Sequence, residues 1–153
     1  MPCMDDLLVA IENAGFPPEC FCPEEADAIS DAKGAYALLL RLDAPVEIRL
    51  RMAEPVSLSP GWFVYCGSAK GSGGLRARLR RHFRQDKALH WHIDRLTGVA
   101  ARTAAVLVRD GNECALVAAL LKGRRFDVAI PGFGSSDCRQ CESHLLRFRG
   151  PVD

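Results

Sequence analysis

The spacing of hydrophobic residues along the chain predicts several strands. In the run GAYALLLRL, Tyr36, Leu38, Leu40 and Leu42 share one strand face, and the residues between them form the other. A turn at 43–45 leads to the alternating residues 46–52, which we expect to pair back on this strand as a hairpin. The aromatic and β-branched run at 62–66 predicts a buried strand, and 103–109 predicts another.

Apolar residues three and four positions apart predict helices in four segments, at 4–14, 74–84, 87–96 and 111–122. We expect Asp110 to cap the last helix, and the tail from Pro131 to be rich in turns until 143–148. This order of elements predicts an α/β (α+β) fold, with a small, largely antiparallel central sheet flanked by helices.

The composition is that of a globular protein with one core. The 153 residues are 48% hydrophobic and 25% charged, and seven cysteines form no even set for a disulfide framework. The longest apolar run, 35–40, is too short for a membrane span, and Asp5 and Asp6 lie where a signal peptide needs positive charge. These features predict a cytoplasmic protein with reduced thiols and no membrane partner.

Charge divides the chain into two parts. Residues 1–33 contain eight acids and one lysine, a net charge of −7, whereas the remainder carries +8. We therefore expect an acidic N-terminal extension with a short helix at 1–33 and a basic domain at 34–153. A basic domain suits a polyanionic partner. The acidic segment could fold over this domain and compete with nucleic acid, so that removal of residues 1–32 would raise binding and cleavage.

Both tyrosines of the chain lie in strands beside glycine, at Tyr36 and Tyr65. A phenol can relay a proton or hydrogen-bond an attacking water, and a nearby glycine lets a phosphate approach the backbone. The alternative is that both tyrosines are ordinary edge or core aromatics.

The helix at 74–84 brings Arg78 and His82 one turn apart, beside its apolar stripe and facing the sheet. A half-buried guanidinium needs an anion, and it fits a phosphate with two hydrogen bonds. A structural ion pair with Asp94 is the alternative. We expect Arg76, Arg80 and Arg84, on the far side of this helix, to be exposed phosphate contacts.

Two further groups of side chains are candidate metal ligands. Glu113 lies on the apolar side of its helix, which suggests a metal ligand, although its spacing from Asp110 also fits a reciprocal N-terminal cap. The cluster Cys138-x-x-Cys141-x-x-His144 offers ligands that tetrahedral zinc accepts, and Cys20-x-Cys22 could complete or rival it. A structural zinc ion and no ion at all both remain open.

Taken in order, the strings GAY, YCG, LRARLRRH and Glu113 resemble the motifs of the GIY-YIG nuclease superfamily. The strings GWFVYCGSA, GGLRARLRRH, HWHID and PGFGSSDC are similar to its Uri-type branch of small stand-alone endonucleases. The resemblance covers about 34–146. Many members carry an asparagine beyond the metal-ligand helix; here Ser135, Ser136 or Asp137 would take its place.

The resemblance implies a metal-dependent endonuclease that hydrolyses phosphodiester bonds of DNA, favoured over RNA, with Mg²⁺ or Mn²⁺ at Glu113. Tyr36 or Tyr65 would act as the general base or relay to it, His82 would assist the proton transfer, and Arg78 would stabilise the transition state. The residues that we expect to contact nucleic acid are mostly basic or aromatic: Lys70, Arg76, Arg80, Arg81, Arg84, Lys87, His90, Trp91 and His92.

Trp91 could stack on a base if it is exposed, with His90 and His92 as accessory groups. If Trp91 is buried, the two histidines are helix-surface residues.

Two other functions stay open for the whole chain. One is a nucleic-acid-binding module without activity, and the other is a zinc-stabilised interaction protein.

Overall fold

The fold is described from a computed structural model, which covers residues 3–17, 19–50, 54–89, 91–109, 111–134 and 140–150. Several residues named above lie outside these ranges: His90, Asp110, Ser135, Ser136, Asp137 and Cys138. None of the described helices has both the length and the hydropathy that crossing a bilayer requires.

Eight strands and four α-helices are present among the described residues. The strands are β1 (Cys20–Phe21), β2 (Gly34–Leu42), β3 (Val46–Ile48), β4 (Val56–Leu58), β5 (Gly61–Ala69), β6 (Arg102–Arg109), β7 (Phe126–Val128) and β8 (Leu145–Phe148). The helices are α1 (Met4–Asn13), α2 (Gly74–Phe83), α3 (His92–Thr97) and α4 (Glu113–Lys122), with a 3₁₀ helix at Pro23–Ala28.

Six strands form one antiparallel sheet in the order β1-β6-β2-β5-β8-β7. This confirms the predicted fold class. The central strand β2 pairs with β5 and β6 along its length, and Tyr36 lies opposite Gly67 in β5. The start of β2 and the end of β5 therefore meet at one end of the sheet.

Both faces of the sheet are buried. Leu38 and Leu40 pack with Leu75 and Leu79 of α2 in one core, which also includes residues of α3, β3 and β4. On the other face, Leu39 packs in a second core with residues of α1 and α4. The strand faces predicted from the alternation in β2 are thus confirmed, and each is covered by a helical layer.

Three local predictions are wrong. Residues 46–48 pair with β4 in a separate two-stranded sheet, because β5 and β6 occupy both edges of β2. Helix α3 begins at His92, and residues 87–89 are not helical. Helix α4 begins at Glu113, since Asn112 is its N-cap and accepts hydrogen bonds from the amides of Cys114 and Ala115.

The acidic N-terminal segment packs on the domain. Leu7 and Ile11 of α1 are buried in the second core, and β1 pairs with the edge strand β6. The carbonyls of Ser30 and Ala32 accept hydrogen bonds from the first amides of α2, at 3.0 and 2.9 Å. These amides have no partner within their own helix, so the segment before β2 caps the helix that carries Arg78 and His82. The boundary at residue 33 stays a prediction.

Candidate functional site

A cavity of about 290 Å³ opens at the end of the sheet where β2 begins and β5 ends. It is lined by side chains and glycines from both strands, α2, α4 and the segment before β8: Tyr36, Tyr65, Gly67, Ser68, Arg78, Glu113, Gly134 and His144. Four of the five predicted catalytic residues therefore line one cavity, although they lie far apart in the chain.

The fifth predicted residue, His82, is joined to this cavity through Tyr36. The Tyr36 hydroxyl and His82 Nε2 are 2.7 Å apart, and both side chains are buried. Burial, together with the positive charge of the neighbouring Arg78, lowers the pKa of His82 to about 3. Burial also raises the pKa of Tyr36 far above its ordinary value, with Tyr65 adding to the effect. At neutral pH the pair is therefore an un-ionised phenol hydrogen-bonded to a neutral imidazole.

Gly67 creates the space that the Tyr36 ring occupies. A Cβ at this position would lie 2.4 Å from both Cζ and the hydroxyl oxygen of Tyr36. Such a contact is far below van der Waals distance, so only glycine fits opposite the phenol. The glycine in the YCG string is thus explained by packing against the other tyrosine.

Tyr65 is the more accessible of the two phenols. Its ring centroid lies 6.5 Å from that of Tyr36 and 6.2 Å from that of His82. Burial raises the pKa of Tyr65 to about 12, while the positive charge of Arg78 acts in the opposite direction. Arg78 lowers the pKa of Tyr36 as well, so one guanidinium favours the ionised form of both tyrosines.

Glu113 is the first residue of α4, and its position is fixed by the Asn112 cap. Its Oε2 atom is buried, and no described residue forms a hydrogen bond with it. A buried carboxylate oxygen without a donor is costly unless a cation meets it. Because this carboxylate also lines the cavity, its surroundings suit an oxygen-preferring divalent ion.

The predicted nucleic-acid contacts in α2 and next to its ends differ in accessibility. Arg84 and Lys70 are exposed, and Arg80 is exposed but forms an ion pair with Asp27. Arg76 was expected to be exposed, but it is half-buried and its Nε donates to the carbonyl of Ile29 at 2.7 Å. The acidic segment therefore contacts the side of α2 that was expected to face solvent.

Trp91 lies beside the cavity, with 41% of its surface exposed. This excludes the buried tryptophan that the sequence left open. The guanidinium carbons of Arg78 and Arg81 are each 4.6 Å from its ring centroid. Arg81 also forms a 2.6 Å ion pair with Asp94, the residue expected as an alternative partner of Arg78.

Lys87 and His92 are the two remaining predicted nucleic-acid contacts that the structure describes. Lys87 donates hydrogen bonds to the backbone carbonyls of His82, at 3.2 Å, and Arg84. His92 is exposed at the start of α3, with its ring 6.1 Å from that of Phe133.

A second cluster of ligand-type side chains adjoins the cavity. The donor atoms of Cys114, Cys141 and His144 all lie within 4.8 Å of one another, so the cluster could hold a metal ion. The sequence indicated Cys141 and His144 but missed Cys114, which is 27 positions away from Cys141 and has no motif spacing to mark it. Cys20 and Cys22 lie at β1, separated from this cluster by β6, β2 and β5.

Together the fold and the cavity define an antiparallel α/β domain with a tyrosine, arginine, histidine and glutamate site at one end of its sheet. Residues 35–152 match the model of a family described as a domain of unknown function, DUF123, and the chain belongs to this family. Comparisons with curated proteins and with solved structures gave no match.

Proposed function

We propose that this protein is a metal-dependent endonuclease of the GIY-YIG type, which hydrolyses phosphodiester bonds of DNA at the cavity. The observation that carries the proposal is the meeting of Tyr36, Tyr65, Arg78 and Glu113 around one cavity, with His82 hydrogen-bonded to Tyr36. These are the residues that the resemblance to that superfamily selects.

The Tyr36–His82 pair supplies a route for a proton. An attacking water would give its proton to the Tyr36 oxygen as the phenol proton passes to His82 Nε2, 2.7 Å away. Burial holds the resting pKa of His82 near 3, which disfavours this transfer. A phosphodiester anion in the cavity would offset the nearby positive charge and raise the pKa of His82 toward a useful value.

Arg78 supplies the complementary positive charge. A guanidinium at the cavity wall can hold two oxygens of a phosphate and stabilise the charge that grows in the transition state. Its contact with the Trp91 ring limits the motion of the side chain. Tyr65, the more accessible phenol, would hydrogen-bond the attacking water or a phosphate oxygen.

The cation belongs at Glu113, whose buried Oε2 has no hydrogen-bond partner among the described residues. Mg²⁺ or Mn²⁺ bound there would act as a Lewis acid that stabilises the leaving oxygen. Glu113 itself contributes a carboxylate that the Asn112 cap fixes at the cavity wall.

The surroundings of the cavity favour a nucleic-acid substrate. Lys70 and Arg84 are exposed, and phosphate contacts of this kind bind without reading sequence. Trp91 offers an aromatic face on which an unpaired base could stack. A single small domain has little surface for reading a long duplex sequence, so we propose single-stranded or structurally irregular DNA, with low sequence selectivity.

A cleavage assay on purified protein tests this proposal. Single-stranded, duplex and branched DNA and an RNA of the same sequence are incubated with Mg²⁺, with Mn²⁺ or with chelator. We expect metal-dependent cleavage, and Arg78→Ala and Glu113→Gln should each reduce its rate on the order of 10²-fold or more. Arg149→Ala, at an exposed ion pair with Asp127, removes the same charge as Arg78→Ala and should cleave at the wild-type rate.

Binding measured under the same conditions separates the enzyme from its rival. Salt-sensitive binding of DNA without cleavage under any metal condition would contradict the proposal and identify a non-catalytic binding module. Cleavage that survives both Arg78→Ala and Glu113→Gln would place the activity elsewhere.

A further inference from the structure

The side chains of Cys114, Cys141 and His144 join two separate parts of the fold. Cys114 lies in the first turn of α4, whereas Cys141 and His144 lie in the segment that leads into β8. His144 is 5% exposed, and both cysteines are half-buried. The three donor atoms lie within 4.8 Å of one another, and the cluster is partly buried and compact.

We propose that Cys114, Cys141 and His144 supply three of the four ligands of one structural Zn²⁺ ion, which joins the start of α4 to the segment that leads into β8. This site is distinct from the Mg²⁺ or Mn²⁺ site proposed at Glu113, and it does not depend on the nuclease function.

The distance between Cys114 and His144 is close to that of tetrahedral coordination. With zinc bonds of about 2.3 Å to sulfur and 2.0–2.1 Å to nitrogen, neighbouring ligands of a tetrahedron lie roughly 3.6–3.8 Å apart. Cys114 Sγ and His144 Nε2 are 3.9 Å apart, so a contraction of a few tenths of an ångström completes this edge.

The chemistry of the donors selects the ion. Two thiolates and one imidazole are soft or borderline ligands, which suit zinc and not the oxygen-preferring Mg²⁺ or Ca²⁺. Cys66 supplies further sulfur close by: it is fully buried on β5, and its amide donates to the carbonyl of His144 at 2.9 Å. Cys66 and Cys141 pack in the same core.

A zinc ion here would position the proposed catalytic cavity. Glu113 directly precedes Cys114, and Glu113 and His144 both line the cavity. Without the ion, the contact between the first turn of α4 and the segment before β8 depends on weaker interactions. The zinc site would therefore hold Glu113 relative to the two tyrosines, as supporting groups do at other sites.

Metal analysis tests the site directly. Full-length protein prepared without chelator should contain about one zinc per chain, and Cys114→Ser and Cys141→Ser should each weaken zinc binding at least tenfold against a chromogenic chelator. Cys22→Ser is the matched control, because Cys22 lies outside the cluster beside β1, and it should keep wild-type affinity.

Cobalt substitution in the wild-type protein keeps the test valid if a variant fails to fold. Co²⁺ should give the visible bands of a tetrahedral ion, with a near-ultraviolet charge-transfer absorbance from two or more thiolates, and zinc should displace it. An absence of both zinc and this spectrum would overturn the proposal. Full zinc affinity in Cys114→Ser, with loss in Cys138→Ser, would also overturn it, by assigning the ion to a site without α4.

These outcomes differ from those of the cleavage assay. Zinc binding with no DNA cleavage would leave the structural site intact and remove only the nuclease. Cleavage in Mg²⁺ by zinc-free protein of unchanged thermal stability would contradict a structural role for zinc.

Discussion

The protonation state of the buried His82 imidazole determines how the candidate site can transfer a proton. His82 is 1% exposed, and its Nε2 faces the Tyr36 hydroxyl. Its Nδ1 is buried and has no hydrogen-bond partner among the described residues. Protonation in the resting protein would place a second positive charge beside Arg78, in buried surroundings that disfavour any charge. The folded protein therefore favours the neutral imidazole, and this preference lowers the free energy of unfolding in acid.

The pH dependence of folding measures that loss of stability. The pKa of His82 is lowered to about 3 from 6.5 by burial, so between these values the unfolded chain binds a proton that the folded chain does not. The free energy of unfolding therefore rises with pH in this window and falls on acidification. Between about pH 7.5 and 5.5 we expect His82 to account for a loss of about 1 kcal/mol, measured by urea unfolding.

The comparison is with His82→Gln, which keeps a polar group near Tyr36 but does not titrate. Over the same pH range, the unfolding free energy of this variant should fall by about 1 kcal/mol less than that of the wild-type protein. Equal pH slopes for the two proteins would show that His82 is not the titrating group. The other histidines contribute equally to both, so they cancel.

Glycine at position 67 is the second residue-scale requirement. Because a Cβ there would meet the Tyr36 ring at 2.4 Å, Gly67→Ala should displace the ring from His82. We expect a loss of about 1–3 kcal/mol of stability, typical of overpacking, and a decrease in cleavage. Gly71→Ala is the control, since nothing lies within 4 Å of its added Cβ; urea unfolding should show a change within about 0.5 kcal/mol. Equal stability of the two variants would contradict the packing argument.

At the scale of elements, local sequence patterns predicted the long helices and strands. They failed where the structure depends on which strand pairs with which. β2 and α2 end within one residue of their predicted limits, because their periodicity is strong. Residues 46–48 alternate correctly, but alternation does not name a partner strand, and the edges of β2 were taken by β5 and β6. The two- and three-residue strands β1 and β7 are too short to carry a period.

The predicted start of α4 depended on which of two nearby residues caps the helix. Asp110 and Asn112 both favour an N-cap by residue type, and only the backbone decides between them. Asn112 has the extended conformation of a cap, with its Oδ1 2.8 and 3.1 Å from the amides of Cys114 and Ala115. This choice makes Glu113 the first helical residue, with its carboxylate at the cavity.

Removal of the Asn112 cap therefore tests an element and the site together. Asn112→Ala should lower the free energy of unfolding by about 1 kcal/mol. Because Glu113 would be held less firmly, the variant should also need a higher Mg²⁺ concentration for half-maximal cleavage. Asn13→Ala, an exposed position at the end of α1, provides the control and should change stability by less than about 0.5 kcal/mol. Thermal unfolding and a Mg²⁺ titration of cleavage measure the two effects. A stable Asn112→Ala protein with unchanged Mg²⁺ dependence would contradict this role.

Over the whole molecule, the sequence predicted which side chains meet in the cavity better than it predicted how the acidic segment behaves. The resemblance selected Tyr36 and Glu113 from distant motifs, whereas the approach of Cys114 to His144 follows from packing across the sheet end, which no local spacing records. Charge alone suggested that residues 1–32 form a removable cover. Yet Leu7 and Ile29 are fully buried, and Ala32 caps α2, so deletion would remove core and cap along with charge.

A substitution that changes only charge is therefore the better test of competition between the acidic segment and nucleic acid. Asp27 forms an exposed ion pair with Arg80 on α2. Asp27→Asn should release this arginine for phosphate and tighten binding of single-stranded DNA about two- to fivefold at low salt, as expected for an exposed pair. The gain should fade at high salt.

Glu12→Gln alters the net charge by the same amount, at an exposed position on α1. Fluorescence anisotropy across a salt series should give a smaller gain for Glu12→Gln, because no arginine of α2 is released. If the two variants bind equally well, the total charge of the molecule controls affinity. The contact between the 3₁₀ helix and α2 would then have no part in restraining nucleic-acid binding.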